Sequence, residues 1–587
     1  MHFNLVVTLA AFLPSVYGAG YRTVGSSGCA AQMVFVPPYT STVVFIDNYH
    51  DNYGGPGFNV GTGQHSATRY VDDDNPNIAV FGTEYNLETN ELRKLQPLSN
   101  TFCSAGSFFP DGTLLNIAGA EGFPGVDEGF DRLRTYDPGP CTDGCSTDWV
   151  ELESRLQVLR WYPTSQTLVD GSVLVVGGSQ IGGLVLNEAD VNVPTYEIVY
   201  QDARVAPTPV TLPILEFTEE QNLDPGKSYN LYPHLHLLPN PSASNLIFTI
   251  AGNQTVVWDY GADMLVKKLP DTPLAPRTFP SGGMSVMLPL RAPDYAPKIL
   301  LCGGSSGDIP DPVALDDCYT INPLDEAPEW TPDDDLPNGA QTMSDGIVLP
   351  DGTILIINGA RTGASGGRMA DDPVFEPLIY NATRPAGDRF STLPGTAIPR
   401  MYHAVSILLP SGEVLIAGSN PLVGYSREGK VDPNVWPLFQ NNGHECALHN
   451  QQRIESGFPT EYRVEIFSPA YISAPSRPII SASPESISYD TDFEIEATIA
   501  GRPLGNDNDS DNGDDDDVQI MLCHTGFHTH GLAMGQRMVQ MTAIRDPDSA
   551  TLTVTAPRDA SVMPPGVYLI FAVDKEIPSE GVWVELK

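Results

Sequence analysis

The chain has 587 residues, with 73 Asp and Glu against 31 Lys and Arg and a formal net charge of −42. That balance argues against nucleic acid or anionic membrane as partners held by bulk electrostatics, and it suits an acidic extracellular medium. The length exceeds one ordinary core, so several domains or a large repeat array is expected.

Residues 1–19 combine an apolar stretch from Leu5 to Leu13 with the small residues Gly18 and Ala19, the pattern of a secretory signal peptide. A soluble, secreted chain beginning near Gly20 is expected, because no later stretch reaches the roughly 20 apolar residues of a membrane span. Sequons at Asn253, Asn381 and Asn508 are compatible with glycosylation after secretion. Cysteines number eight. Cys141 with Cys145 and Cys302 with Cys318 are spaced for local disulfides, and if Cys103 serves another purpose, one of Cys29, Cys446 and Cys523 is left over.

From there one phrase recurs: a turn, a short apolar β-branched run, then a Gly-containing pair. Asp111-Gly112 leads to Ala118-Gly119, Asp170-Gly171 to Gly177-Gly178, and Asp351-Gly352 to Asn358-Gly359; Ser411-Gly412 to Ala417-Gly418, Leu246 to Gly252 and Lys298 to Gly304 are looser copies. Runs such as Val173-Leu174-Val175-Val176 read as fully buried strands. Repeats about 50 to 60 residues apart fall in the range of kelch-type blades of four strands. An all-β chain is predicted, with a seven-bladed kelch-type β-propeller over residues 20–474. A plain array of sandwiches would leave the repeated turn phrase unexplained.

The Pro-rich stretch Ser473 to Pro478 reads as a linker. Beyond it, alternating segments Phe493 to Ile499, Val518 to Leu522, Leu552 to Thr555 and Val567 to Val573 predict an immunoglobulin-like β-sandwich over residues 475–587. The acidic run Asn506 to Asp517 lacks EF-hand spacing and reads as a solvated loop.

Register singles out the chemistry. Cys103 and Tyr162 each stand eight residues before the Asp of their turns, and His403 stands eight before Ser411. Equivalent repeats would therefore hold a thiol, a phenol and an imidazole at equivalent places. Tyr402 adjoins His403, and neighbours on a regular strand face opposite ways, so both serve one site only where the backbone is irregular, as at a strand entrance. The C-terminal domain adds His524, His528 and His530. Imidazole with phenolate suits copper, whereas Cys-rich zinc spacing is missing.

Phe102-Cys103-Ser104-Ala105-Gly106, Arg160-Trp161-Tyr162, Arg400-Met401-Tyr402-His403, and Thr529-His530 followed by Gln536-Arg537 together resemble the active-site segments of the copper radical oxidases. Phe458 to Glu465 and Asn230-Leu231-Tyr232-Pro233 resemble the glyoxal oxidase branch, which is related to galactose oxidase. The resemblance runs from about residue 80 to the end. It implies one copper ion held by Tyr162, Tyr402, His403 and His530, with Cys103 joined to Tyr162 by a thioether that stabilises a tyrosyl radical. The implied reaction oxidises a small aldehyde or alcohol and reduces O2 to H2O2, which peroxidases could consume; a monomer is expected.

Departures from galactose oxidase bear on the substrate. That enzyme's stacking Trp is replaced by Gln180 after Gly177-Gly178-Ser179, and its sugar-contacting Arg aligns with Pro233. These changes favour glyoxal- or methylglyoxal-type aldehydes over galactose. The alternatives are an alcohol oxidase of the same family and a catalytically silent kelch scaffold.

Overall fold

The apolar runs of the repeated phrase are the second strands of propeller blades. Leu114–Ile117, Val173–Val176, Leu246–Ala251, Ile299–Cys302, Ile354–Ile357 and Val414–Gly418 are buried along their whole length. Each is sandwiched between neighbouring blades, so no face alternates to water, and every large side chain buried there contributes about 1.5–3 kcal/mol. These elements come from a computed structural model, which describes residues 18–47, 82–122, 126–137, 148–182, 191–220, 230–240, 245–306, 312–366, 370–421, 457–504, 518–545 and 549–587.

The predicted seven-bladed propeller and C-terminal sandwich are the architecture observed. Inner strands begin at Met33, Ala105, Thr164, His234, Met284, Asp345 and Ala404, and each opens a four-stranded antiparallel blade. The last blade is closed by the chain's own beginning. Gly20–Ser26 pairs antiparallel with Arg463–Ser468, outside Val414–Gly418 and Ala404–Leu408. Nothing in the sequence reading anticipated that closure, nor the short helix Pro213–Glu220.

The C-terminal domain is a two-sheet sandwich. Pro478–Ala482, Asp492–Ile499 and Thr551–Thr555 form one sheet, and Val518–His524, Gly566–Asp574 and Val582–Leu586 the other. Arg537–Arg545 crosses between them, pairing first with Val518–His524 and then with Thr551–Thr555. The first sheet alternates buried and open residues, as a half-solvated sheet should, whereas Gly566–Asp574 is buried throughout.

One excursion of this domain positions the site. Between Val518–His524 and Arg537–Arg545 the chain forms a hairpin, Phe527–Thr529 and Leu532–Met534, that leaves the sandwich and adds to the first blade by pairing with Met33–Phe35. Leu532–Met534 packs against the inner strands Ala105–Phe108, Thr164–Thr167, Met284–Met287 and Asp345–Val348, so this finger occupies the propeller axis. Gly106 explains its close approach: a Cβ there would lie 2.4 Å from Cδ2 of Phe527. Gln536 anchors the base by completing the edge of Asp345–Val348, accepting from Val348 N at 3.1 Å and donating to Gly346 O at 2.9 Å. Arg537 is buried and donates to the carbonyls of Leu237, Ser561 and Val562.

Cys302 and Cys318 form the expected disulfide across paired strands. Cysteine counting expects a pair among Cys29, Cys446 and Cys523, but Cys29 and Cys523 are both buried free thiols. Burial raises both thiol pKa values, that of Cys523 to about 12. Cys141, Cys145, Cys446, most of the signal-peptide segment and the acidic run 506–517 lie outside the described residues.

Candidate metal centre

The register that links Cys103, Tyr162 and His403 extends around the ring. Ala31, Cys103, Tyr162, Tyr232, Gly282, Met343 and His403 all have positive φ, between 38° and 63°, and each lies one or two residues before its inner strand. In the non-glycine residues that left-handed conformation costs about 1–3 kcal/mol apiece, held by the surrounding structure. Backbone hydrogen bonds join the positions from blade to blade: Tyr162 N donates to Cys103 O at 3.2 Å, Tyr232 N to Tyr162 O at 2.8 Å, and Met343 N to Gly282 O at 2.8 Å. Left-handed turns at the mouth aim these side chains at the axis, where a regular strand entrance would send alternate ones away.

Two of these turns are set by buried arginines. Arg160, two residues before Tyr162, pairs with Glu197 at 3.0 Å and donates to Gly177 O and Thr195 O at 2.7 and 2.9 Å. Arg400, two before Tyr402, pairs with Glu465 at 2.9 Å and donates to Gly418 O at 2.7 Å and Arg463 O at 2.9 Å. Each guanidinium ties the approach to a mouth residue onto its own blade's second and third strands.

Tyr162, Tyr402, His403, His530 and Cys103 come together at this mouth. Oη of Tyr162 is 2.6 Å from Oη of Tyr402 and 3.2 Å from Nε2 of His530, whose Nε2 is 3.7 Å from Sγ of Cys103. The Tyr402 and His403 rings stack at 3.7 Å, and those of His403 and His530 meet edge-on at 4.7 Å. The irregular backbone that lets adjacent residues share a site is present, with φ of 63° at His403. Of the three C-terminal histidines only His530, at the finger tip, reaches the axis. His528 Nε2 is 2.6 Å from Thr525 O, and His524 Nδ1 is 3.1 Å from Gly535 O.

The donor set fits a metal ion. Cys103, His403 and His530 offer ligand atoms all within 4.8 Å of one another. Among the described residues neither ring nitrogen of His403 makes a hydrogen bond, an uncommon state for a buried imidazole. Burial takes its pKa down to about 3, and burial with His403 nearby lowers that of His530 well below the ordinary value. Both imidazoles are therefore neutral, as metal ligands must be. Thr529 settles the His530 tautomer. Its hydroxyl donates to Gln32 O at 3.0 Å, so toward His530 Nδ1 at 2.5 Å it accepts; Nδ1 carries the proton and Nε2 a free lone pair.

Burial, then Cys103, Tyr402 and Tyr232 beside it, holds the pKa of Tyr162 well above 10. A bound cation inverts that balance and favours phenolate. Two imidazoles and two phenols suit Cu(II).

Aromatic side chains wall the centre. The Tyr162 ring is met edge-on by Trp161 at 4.2 Å and by Tyr232 at 4.5 Å, and at a tilt by Phe279 at 4.7 Å. Tyr232 also donates to Ser104 O at 3.2 Å, beside Cys103. Sequence reasoning gave Tyr232, Phe279 and Thr529 no role. Tyr232 was within reach, since it stands eight residues before Asn240, the shared register; Phe279 and Thr529 carry no such mark.

Comparison with known proteins bears on the family and the fold. The glyoxal oxidase N-terminus family model matches residues 39–435, and the galactose oxidase-like early set domain model matches residues 477–586. Aldehyde oxidase GLOX of Vitis pseudoreticulata is 34% identical over 517 residues, covering 85% of this chain and 84% of that protein. Aldehyde oxidase GLOX1 of Arabidopsis thaliana is 30% identical over 524 residues, covering 85% and 74%. A solved fungal alcohol oxidase in complex with copper shares the fold, with TM-score 0.69 and 16% identity over 97% of this chain and 100% of that one. With the family models spanning both domains, the chain belongs to the glyoxal oxidase family of copper radical oxidases.

Proposed function

We propose that this protein is a secreted oxidase that converts small aldehydes, as their hydrates, to carboxylic acids while reducing O2 to H2O2. The observation that carries the reading is the meeting of Tyr162 Oη with Tyr402 Oη at 2.6 Å and His530 Nε2 at 3.2 Å, with Sγ of Cys103 3.7 Å from the same nitrogen. Tyr162, Tyr402, His403 and His530 would hold the copper, and Cys103 would be joined to the Tyr162 ring by a thioether. Relatives named as aldehyde oxidases support an aldehyde as substrate.

When bound, copper supplies a Lewis-acid position for the substrate oxygen and one of the two oxidising equivalents. The chain supplies the rest. Tyr402 accepts the proton of the substrate hydroxyl. Tyr162, in its radical form, takes a hydrogen atom from the substrate carbon; sulfur substitution on its ring spreads the unpaired electron. Trp161 and Phe279 pack against that ring and keep water from it. Over one turnover R–CH(OH)2 gives two electrons and two protons to O2, yielding R–COOH and H2O2. Peroxidases in the same medium are natural consumers of that product.

The test is mass spectrometry of the linked peptides carrying Cys103 and Tyr162, expected about two hydrogens lighter than their sum after copper loading in air. Peroxide release is then compared on glyoxal, methylglyoxal, glycerol and benzyl alcohol. Preference for an alcohol would overturn the aldehyde assignment, and absence of both the cross-link and peroxide would leave a silent scaffold.

A further inference from the structure

Far from the mouth, the turn of the first blade differs from those of four other blades. At the corresponding turns Gly112, Gly171, Gly352 and Gly412 occupy left-handed positions, with φ between 78° and 85°. The first blade places Tyr39 there instead, with φ of 60° and half its surface exposed. A half-exposed aromatic residue in a conformation that glycine adopts freely is a strained choice at a turn, and such outliers gather at functional sites.

Tyr39 borders a cleft of about 570 Å3 between the first blade, the last blade and the sandwich edge, a volume within the range of small-ligand sites. Its ring stands 5.9 Å from that of Trp583, inclined at 50°, so two aromatic faces form one side. The other side is polar and already ordered. Glu413 takes Arg22 at 2.5 and 2.9 Å and Ser468 at 2.6 Å, and Glu88 takes Ser41 at 2.8 Å. Gly581 N donates to Pro410 O at 2.7 Å, fixing the sandwich against the last blade.

We infer that this cleft binds a neutral saccharide chain. A pyranose ring presents an apolar C–H face to an aromatic ring and hydroxyl donors at its edge, matching the Tyr39–Trp583 wall and the held carboxylates with lone pairs to spare. The acidic surroundings disfavour anionic ligands: besides burial, Glu585 and Glu485 raise the pKa of the Tyr39 phenol. Arg22, half exposed, pairs with Glu413, while Glu88 and Glu580 keep the cleft acidic, so a polycation is the competing occupant that the test must exclude. Tyr39 lies at the end of its inner strand opposite the mouth residue Ala31, so a bound polymer would leave the metal centre open. The cleft would thus anchor the oxidase to insoluble polysaccharide and release peroxide beside it.

The test is retention of the full-length protein on crystalline cellulose, insoluble xylan, mannan and chitin, with spermine as competitor. Retention on at least one neutral polymer is expected, undisturbed by spermine. Tyr39→Gly should weaken it on the order of tenfold, without lowering Tm or the peroxide rate on glyoxal, while Tyr39→Phe keeps it. Retention on none, equal retention of Tyr39→Gly and parent, loss of binding in Tyr39→Phe, or displacement by spermine would each overturn the assignment.

Discussion

Replacing Thr529 by Val tests whether the finger presents His530 as a ligand. The hydroxyl is fully buried, accepts from Nδ1 of His530 at 2.5 Å and donates to Gln32 O at 3.0 Å. Valine leaves both partners in place and unpaired, at a cost of about 1–3 kcal/mol for each buried group. Freed of its anchor, the ring can turn Nε2 away from Tyr162 and Cys103. Removing such a hydrogen-bond partner from a ligating histidine typically lowers metal affinity about 10–100-fold, or roughly 1.4–2.8 kcal/mol. Copper affinity is measured by chelator competition at neutral pH, with Thr529→Ser as the variant that keeps the hydroxyl and should return most of the loss. If Thr529→Val binds copper as tightly as the parent, His530 is not held as argued.

Glu197→Gln leaves the buried Arg160 without its counter-charge; because Gly177 O and Thr195 O remain as acceptors, a loss near the lower end of about 3–5 kcal/mol is expected in urea unfolding. Peroxide turnover should fall with it, since Arg160 sets the turn into Tyr162; unchanged stability would show the clamp to be idle. Gly106→Ala drives a Cβ into Phe527, with an expected cost of about 1–3 kcal/mol and weaker copper retention. Adding Phe527→Leu should recover part of both, and failure to do so would show the crowding lies elsewhere. On acidification, His234, His236, His403, His524, His528 and His530, whose pKa values are lowered chiefly by burial, stay neutral in the folded chain while the unfolded chain takes up protons below its ordinary value of about 6.5. Their contribution is complete above that value and is lost as pH falls. Buried Asp345 and Asp351, raised to about 7 and about 6, act in the opposite sense but are fewer, so Tm of the metal-free protein should drop from pH 7.5 toward pH 5, and a rise would contradict this accounting.

Much of the propeller was legible because its strands are short and its turns carry their own chemistry. Asp111-Gly112 and Asp170-Gly171 mark where inner strands end, and a strand advances by a fixed rise per residue, so counting back placed Cys103 and Tyr162 at one depth. Tyr232 escaped because its turn is Asn240-Pro241, without the Asp-Gly signature. Closure by Gly20–Ser26 was illegible for another reason: pairing between Tyr21 and Phe467 leaves no local trace in either segment. Counting cysteines misjudged Cys29 and Cys523, because a thiol buried among apolar residues satisfies the core without a partner. Thr529 and Phe279 owe their places to packing around the axis, and no periodicity records it.

The finger also imposes an order on the making of the protein. Tyr162, Tyr402 and His403 precede His530 in the chain, and so does every strand of the last blade, Gly20–Ser26 and Arg463–Ser468 included. A chain cut short before residue 530 would hold Cys103, Tyr162, Tyr402 and His403 without the second imidazole. With His530 a ligand, as proposed, the centre would be complete only once the finger has been made.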